Sequence, residues 1–477
     1  MEENQNINPN EDVQPVRSRR RKRSKMQDFK ESYLPVIIAL TALVLIVFFI
    51  VGSLNRGPAS DTEQPGGSTP APTLDQSAIL EQEAQSLLIQ AEAYALQYDY
   101  EAAMKLLATY SGGINTHEEL MAKYQEYHDA FSTMVPYSNI NEIPNLSFRL
   151  LIADLSRAIT DEKYGSSFNN NYITTGEFEK ILQQLYDNGY MLVSLYDIAP
   201  KTVDANGNVS ISQNTIYLPE GKKPIVLTQV GVNYFTYIVD GDGDGLPDKD
   251  GAGFPSRLVL DENGELINEM VDANGNLITG RFDLVTILNH FIEEHPDFSY
   301  RGARATLAVT GYDGLFGYRT DPETANVIGQ EYYEQQLAEV APIIAKLRED
   351  GYDIACYSYN FDNYGAFSAQ EISADLALWE SEVKPLLGDV DIMVFPYDDI
   401  GNTNLYTGNK YNILSQYGFT YYVRKDSTVD AWGQVTDDYA RMSRREVGGA
   451  LMYNSPELFE DLFNPATVLD PNRGFGN

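Results

Sequence analysis

The stretch Lys222-Lys223-Pro224-Ile225-Val226-Leu227-Thr228-Gln229-Val230-Gly231 decides the fold. A short apolar run closed by glycine predicts a strand, here over Pro224–Val230. Similar runs stand at Leu146–Ile152, Met191–Leu195, Ala305–Thr310, Asp353–Tyr357, Asp391–Pro396 and Phe419–Val423. Amphipathic segments separate them, at Thr175–Asn188, Asp283–Glu293, Tyr332–Asp350, Ser368–Leu387 and Lys410–Tyr417. Strand–helix alternation of this length predicts an α/β chain with a parallel sheet, most simply a barrel. Such barrels keep their functional residues at the C-terminal ends of the strands.

Upstream of this domain, expected over 143–470, the composition changes twice. Residues 1–56 carry nine basic and six acidic residues, a net of +3, which leaves −38 on the rest of a 477-residue chain of net charge −35. No charge interrupts the sequence between Glu31 and Arg56. At about 1.5 Å per residue this stretch spans the roughly 30 Å hydrocarbon core of a membrane. The expected order is a basic cytoplasmic arm (1–32) and a transmembrane signal anchor (33–55). The Arg/Lys cluster just before the apolar run leaves the N-terminus in the cytoplasm and the main domain extracellular. A cleaved signal peptide is the competing reading, but no small-x-small site directly follows the apolar run. The acidity of the remainder argues against a nucleic-acid partner.

A Gly/Pro/Ser/Thr-rich linker (56–77) follows, then a helical stalk (78–134). Leu80, Ala84, Leu87, Leu88, Ala91 and Ala95 recur at helical spacing, and Thr116 with Glu119 suggests a capping box for a third helix. Ala91–Tyr110 resembles a single tetratricopeptide unit, so the stalk is either a packed spacer or a groove for a protein partner.

Several motifs in the main domain, taken in order, resemble the polysaccharide deacetylase family. They are Tyr172-Ile173-Thr174-Thr175-Gly176-Glu177-Phe178, the Lys222–Thr228 strand, Gly351-Tyr352-Asp353-Ile354, Phe395-Pro396-Tyr397 and Gly418-Phe419-Thr420-Tyr421-Tyr422-Val423. The resemblance implies a distorted barrel of about seven strands and metal-dependent hydrolysis of N-acetylated glycans. It also implies cell-surface polysaccharide or peptidoglycan as the partner.

The chemistry departs from that pattern. Where the family carries paired aspartates after its strand, this chain has Val230 and Gly231. Tyr357 and Phe361 stand where the family has two metal-binding histidines, and Ser147-Phe148-Arg149 occupies a place that often ends in histidine. Cys356 is the lone cysteine, and His117, His128, His290 and His295 are the only histidines, so a zinc or other catalytic transition-metal centre is not expected. Gln229, Tyr357, Phe361 and Tyr397 become the candidate glycan contacts of a domain that has lost deacetylase activity. The alternative is an active hydrolase with relocated residues, for which Asp398 and Asp399, at an expected strand end, are the candidate acid/base pair.

One further motif stands apart. Asp240-Gly241-Asp242-Gly243-Asp244-Gly245-Leu246-Pro247-Asp248 matches the first half of a calcium loop, with Asp240, Asp242, Asp244 and Asp248 as candidate ligands of a structural ion. Position twelve is Gly251 rather than glutamate, with Asp250 a substitute one place earlier; a plain acidic turn is the other reading. The loop lies in a β-rich insertion expected over 234–282. There Tyr234–Val239 reads as a strand, and Asp261-Glu262-Asn263-Gly264 and Asp272-Ala273-Asn274-Gly275 read as hairpin turns.

Overall fold

The computed structural model describes residues 76–401, 404–426 and 428–475. The basic arm, the expected membrane segment and the linker up to residue 75 lie outside the described residues. Among those described, no helix is long and apolar enough to cross a membrane.

Three helices come first: α1 (Gln76–Leu96), α2 (Tyr100–Leu107) and α3 (Glu118–Ser132). Ala84, Leu87 and Ala91 of α1 close on Ala103, Leu107, Leu120 and Tyr127 in a small core of their own. The expected Thr116–Glu119 capping box does not form. The Thr116 hydroxyl donates to the carbonyls of Gly112 and Gly113, and His117 caps α3 instead by accepting the Leu120 amide. A hydroxyl bonded within its own turn is not available to the helix. The helices dock on the following domain through Arg301, whose amide donates to the Gln97 carbonyl at 2.9 Å. The Arg301 guanidinium meets Glu101 at 2.8 Å and Asp99 at 3.3 Å.

Seven parallel strands form a closed ring in chain order. They are β1 (Asn145–Phe148), β2 (Lys223–Val230), β3 (Thr306–Val309), β4 (Asp353–Cys356), β5 (Ile392–Val394), β6 (Tyr421–Asp426) and β7 (Ala440–Glu446). β7 returns to β1 through Arg445↔Leu146 and Glu446↔Ser147, which closes the barrel. The seams differ in strength: β6 and β7 pair over six residues, whereas β4 and β5 share one register pair, Cys356↔Met393.

Strand alternation sorts the side chains. Val226, Val230, Ala308, Ala355, Tyr357, Val394, Val423 and Met442 fill the barrel interior. Ile225, Leu227, Leu307, Val309, Ile354 and Phe395 face outward against helices such as Thr175–Asp187 and Leu284–Glu294.

Two expectations about the strands are corrected. The Met191–Leu195 run forms only a short strand, Tyr190–Leu192, that flanks β2 outside the ring. The seventh barrel strand is Ala440–Glu446, whose Arg-rich sequence hides it. In the insertion, Tyr234–Val239 is not a strand; Thr236–Val239 makes one helical turn. The rest of that segment is an antiparallel meander of Arg257–Leu260, Leu266–Val271 and Leu277–Gly280, with both Asn-Gly turns at its corners.

Candidate functional site

Loops following β1, β2, β3 and β4 enclose a cavity of about 330 Å³ at the C-terminal mouth of the barrel. Arg149, Tyr172, Phe235, Tyr312, Tyr357 and Phe361 are among its walls. The volume falls in the range of small-ligand pockets. Five non-glycine residues of these loops hold positive φ: Tyr234, Asp313, Phe316, Ser358 and Phe361. Backbone held this way costs of order 1–3 kcal/mol per residue and concentrates where ligands are gripped.

Aromatic rings cross the mouth in two rows. Tyr357 meets Phe361 edge-on at 5.1 Å between ring centres, and Phe361 meets Tyr397 at 5.3 Å. Opposite them Phe235 stacks on Tyr237 at 5.7 Å and lies 6.3 Å from Tyr312. Tyr237, Tyr312 and Tyr397 are exposed, at 44%, 51% and 46%. Tyr357 is sealed beneath, and burial pushes its phenol up despite Arg444 and Arg149 nearby.

Gln229 does not join Tyr357 and Phe361 in the mouth. Val230 takes the inward position on β2, so its neighbour Gln229 points out through the wall. There it donates to Asp283 at 2.7 Å. Asp283 also accepts the Tyr234 hydroxyl at 2.7 Å and the Leu151 amide at 3.0 Å. Burial raises the Asp283 carboxyl to about 6 in spite of these three donors. Gly231, at the second aspartate position of the resemblance, turns with φ +69, and a Cβ there would sit 3.2 Å from the Phe235 ring.

Asp398 and Asp399 part company. Asp398 is exposed on the loop after β5. The Asp399 side chain is 5% exposed and faces Arg424 and Arg441, each at 3.7 Å, while accepting the Tyr406 hydroxyl at 3.0 Å. A carboxylate so engaged braces the outside of the barrel wall; the two do not assemble as an acid/base pair.

β7 supplies Arg444 and Glu446 at the rim, where Lys425 of β6 and Arg149 after β1 join them. Arg444 enters the barrel and bonds Glu446 at 3.0 Å, the Ser147 hydroxyl at 2.9 Å and the Phe395 carbonyl at 3.0 Å. Lys425 meets Glu446 at 2.5 Å, and Arg149 approaches it at 3.9 Å. Burial opposes the Glu446 charge, yet Arg444, Arg149 and Lys425 overcome it and hold the carboxyl down at about 2.

Just past Tyr237 and Ile238 of the cavity wall, Asp240, Asp242 and Asp244 place carboxylate oxygens within 4.8 Å of one another. This is the only group of three or more potential metal ligands among the described residues. Asp248 is drawn elsewhere: its carboxylate accepts the amides of Gly241, Asp242, Asp250 and Gly251. Asp250 pairs with Lys249 at 2.6 Å. The side chains thus provide three of the six to eight oxygens that calcium takes.

No family model and no curated protein matches the chain. Among solved structures, the Streptococcus pyogenes deacetylase PplD in complex with acetate aligns over 70% of this chain and 100% of that one, at 11% identity and a TM-score of 0.31. A likeness that slight carries no argument about the site.

Proposed function

We propose that the barrel is a deacetylase-like domain that binds cell-surface glycan without the metal-dependent hydrolysis of that family. The segment expected at 33–55 would hold it at the membrane. One observation supports the reading most: Val230, Gly231, Tyr357 and Phe361, at the family's acid and metal positions, offer neither a carboxylate nor an imidazole. Amide hydrolysis of that kind needs a cation to lower the pKa of its water to about 7. It also needs a base, typically worth about 10²–10⁴-fold. Aromatic walls in the same place suit the apolar faces of sugar rings. The reading includes calcium as a structural ion at Asp240, Asp242 and Asp244.

The test pairs a glycan pull-down with deacetylation of N-acetylglucosamine oligomers in added zinc or cobalt. Binding without turnover is expected. Metal-dependent turnover by the full chain would overturn the proposal.

A further inference from the structure

We propose that the mouth takes a saccharide bearing a carboxylate, and that Arg149 is the residue that binds this group; the inference rests on the glycan-binding reading above. Arg149 is the single charged residue lining the cavity. Its side chain is 29% exposed, and it makes no side-chain hydrogen bond among the described residues. Glu446 lies 3.9 Å away, beyond hydrogen-bond reach, and is already held by Arg444 at 3.0 Å and Lys425 at 2.5 Å. Three cations therefore meet one carboxylate at the rim, on a chain whose net charge is −35.

Partly withdrawn from water, Arg149 has Glu446 and Tyr172 beside its charge, but its N–H donors make no hydrogen bond among the described residues. The Tyr172 ring lies under the guanidinium, its centre 5.6 Å from the guanidinium carbon. The fork presents paired N–H donors that match a planar carboxylate. Phe235 and Tyr312 supply the ring faces across the same cavity, and Asn360 supplies a neutral polar group. A neutral sugar would satisfy the aromatic walls and offer the guanidinium donors no charged acceptor. A uronic acid answers both.

Titration calorimetry on the full chain would compare a glucuronate-containing oligomer, a neutral glucose oligomer of equal length, and sodium acetate. The acidic oligomer is expected to bind at least ~10-fold more tightly than the neutral one. Arg149→Gln should erase that difference without weakening the neutral oligomer, and Arg149→Lys should restore part of it. Tyr312→Ala, at an exposed position, should weaken both oligomers alike. Equal affinity of the parent for the two oligomers overturns the inference and leaves the glycan reading standing. So does an Arg149→Gln chain that holds the acidic oligomer as tightly as the parent. Acetate binding as tightly as the acidic oligomer overturns the saccharide part. Failure of both oligomers to bind ends the glycan reading as well.

Discussion

Arg473 and Glu177 grip each other through two parallel contacts of 2.6 Å, Nε to Oε1 and Nη2 to Oε2, with both side chains 1% exposed. Glu177 is also the third residue of the helix Thr175–Asp187, and its carboxylate accepts the Thr174 amide at 2.7 Å. The pair thus ties the last described turn of the chain to the capping box of that helix.

Removing one partner of a buried pair strands the other charge. Arg473→Met is expected to cost about 3–5 kcal/mol, read as a lowered urea midpoint with an unchanged slope. The double variant Glu177→Gln/Arg473→Met should recover part of the loss, because no uncompensated charge then remains.

The pH response carries the mark of Asp283. Burial raises its carboxyl to about 6, so the native state holds a proton that the unfolded chain releases near the ordinary value of 3.8. Its contribution is fully present below pH 3.8 and is lost as pH rises through about 6. The size of this loss is roughly 3 kcal/mol. Asp283→Asn should flatten stability across that window in denaturant titrations at stepped pH, whatever it does to the absolute level. An unchanged slope would show that Asp283 ionises normally in the fold.

Asp398 and Asp399 separate by phenotype. Asp399→Ala removes the partner of Arg424, Arg441 and Tyr406, and is expected to lower stability by about 3 kcal/mol or more. Asp398→Ala, on an exposed loop, should stay within about 0.5 kcal/mol of the parent. Glycan retention by the Asp398→Ala chain should match the parent.

Calcium binding at the Asp240 loop should be weak, with Kd of roughly 10⁻⁴–10⁻³ M, since three carboxylates make an incomplete ligand set. Millimolar calcium is expected to raise Tm modestly, and the Asp242→Ala/Asp244→Ala chain should lose that rise. A rise that survives in the double variant would place the ion elsewhere.

Much of the barrel was legible because Ile225, Val226 and Leu227, and the comparable runs in β3 to β6, are apolar on both faces. The seventh strand was not. In Ala440-Arg441-Met442-Ser443-Arg444-Arg445-Glu446, six successive residues are buried, three of them arginines, and no hydropathy pattern announces a buried arginine. Each faces a carboxylate, Arg441 that of Asp399, Arg445 that of Asp461 and Arg444 that of Glu446, and Arg444 also donates to Ser147 and Phe395 far along the chain. The same limit applied at the site. Tyr357 and Phe361 followed from their position after β4, whereas the facing of Gln229 needed the strand parity that only closure of the ring fixes. Arg149 carried one signal in sequence, its place at a strand end.

The single register pair between β4 and β5 joins the two strands whose following loops carry Phe361 and Tyr397, rings that meet at 5.3 Å. Those rings belong to the two loops whose parent strands are least tied by backbone. The ring therefore has a weakest seam, one register pair against six between β6 and β7, and any local opening of the barrel is expected to begin there.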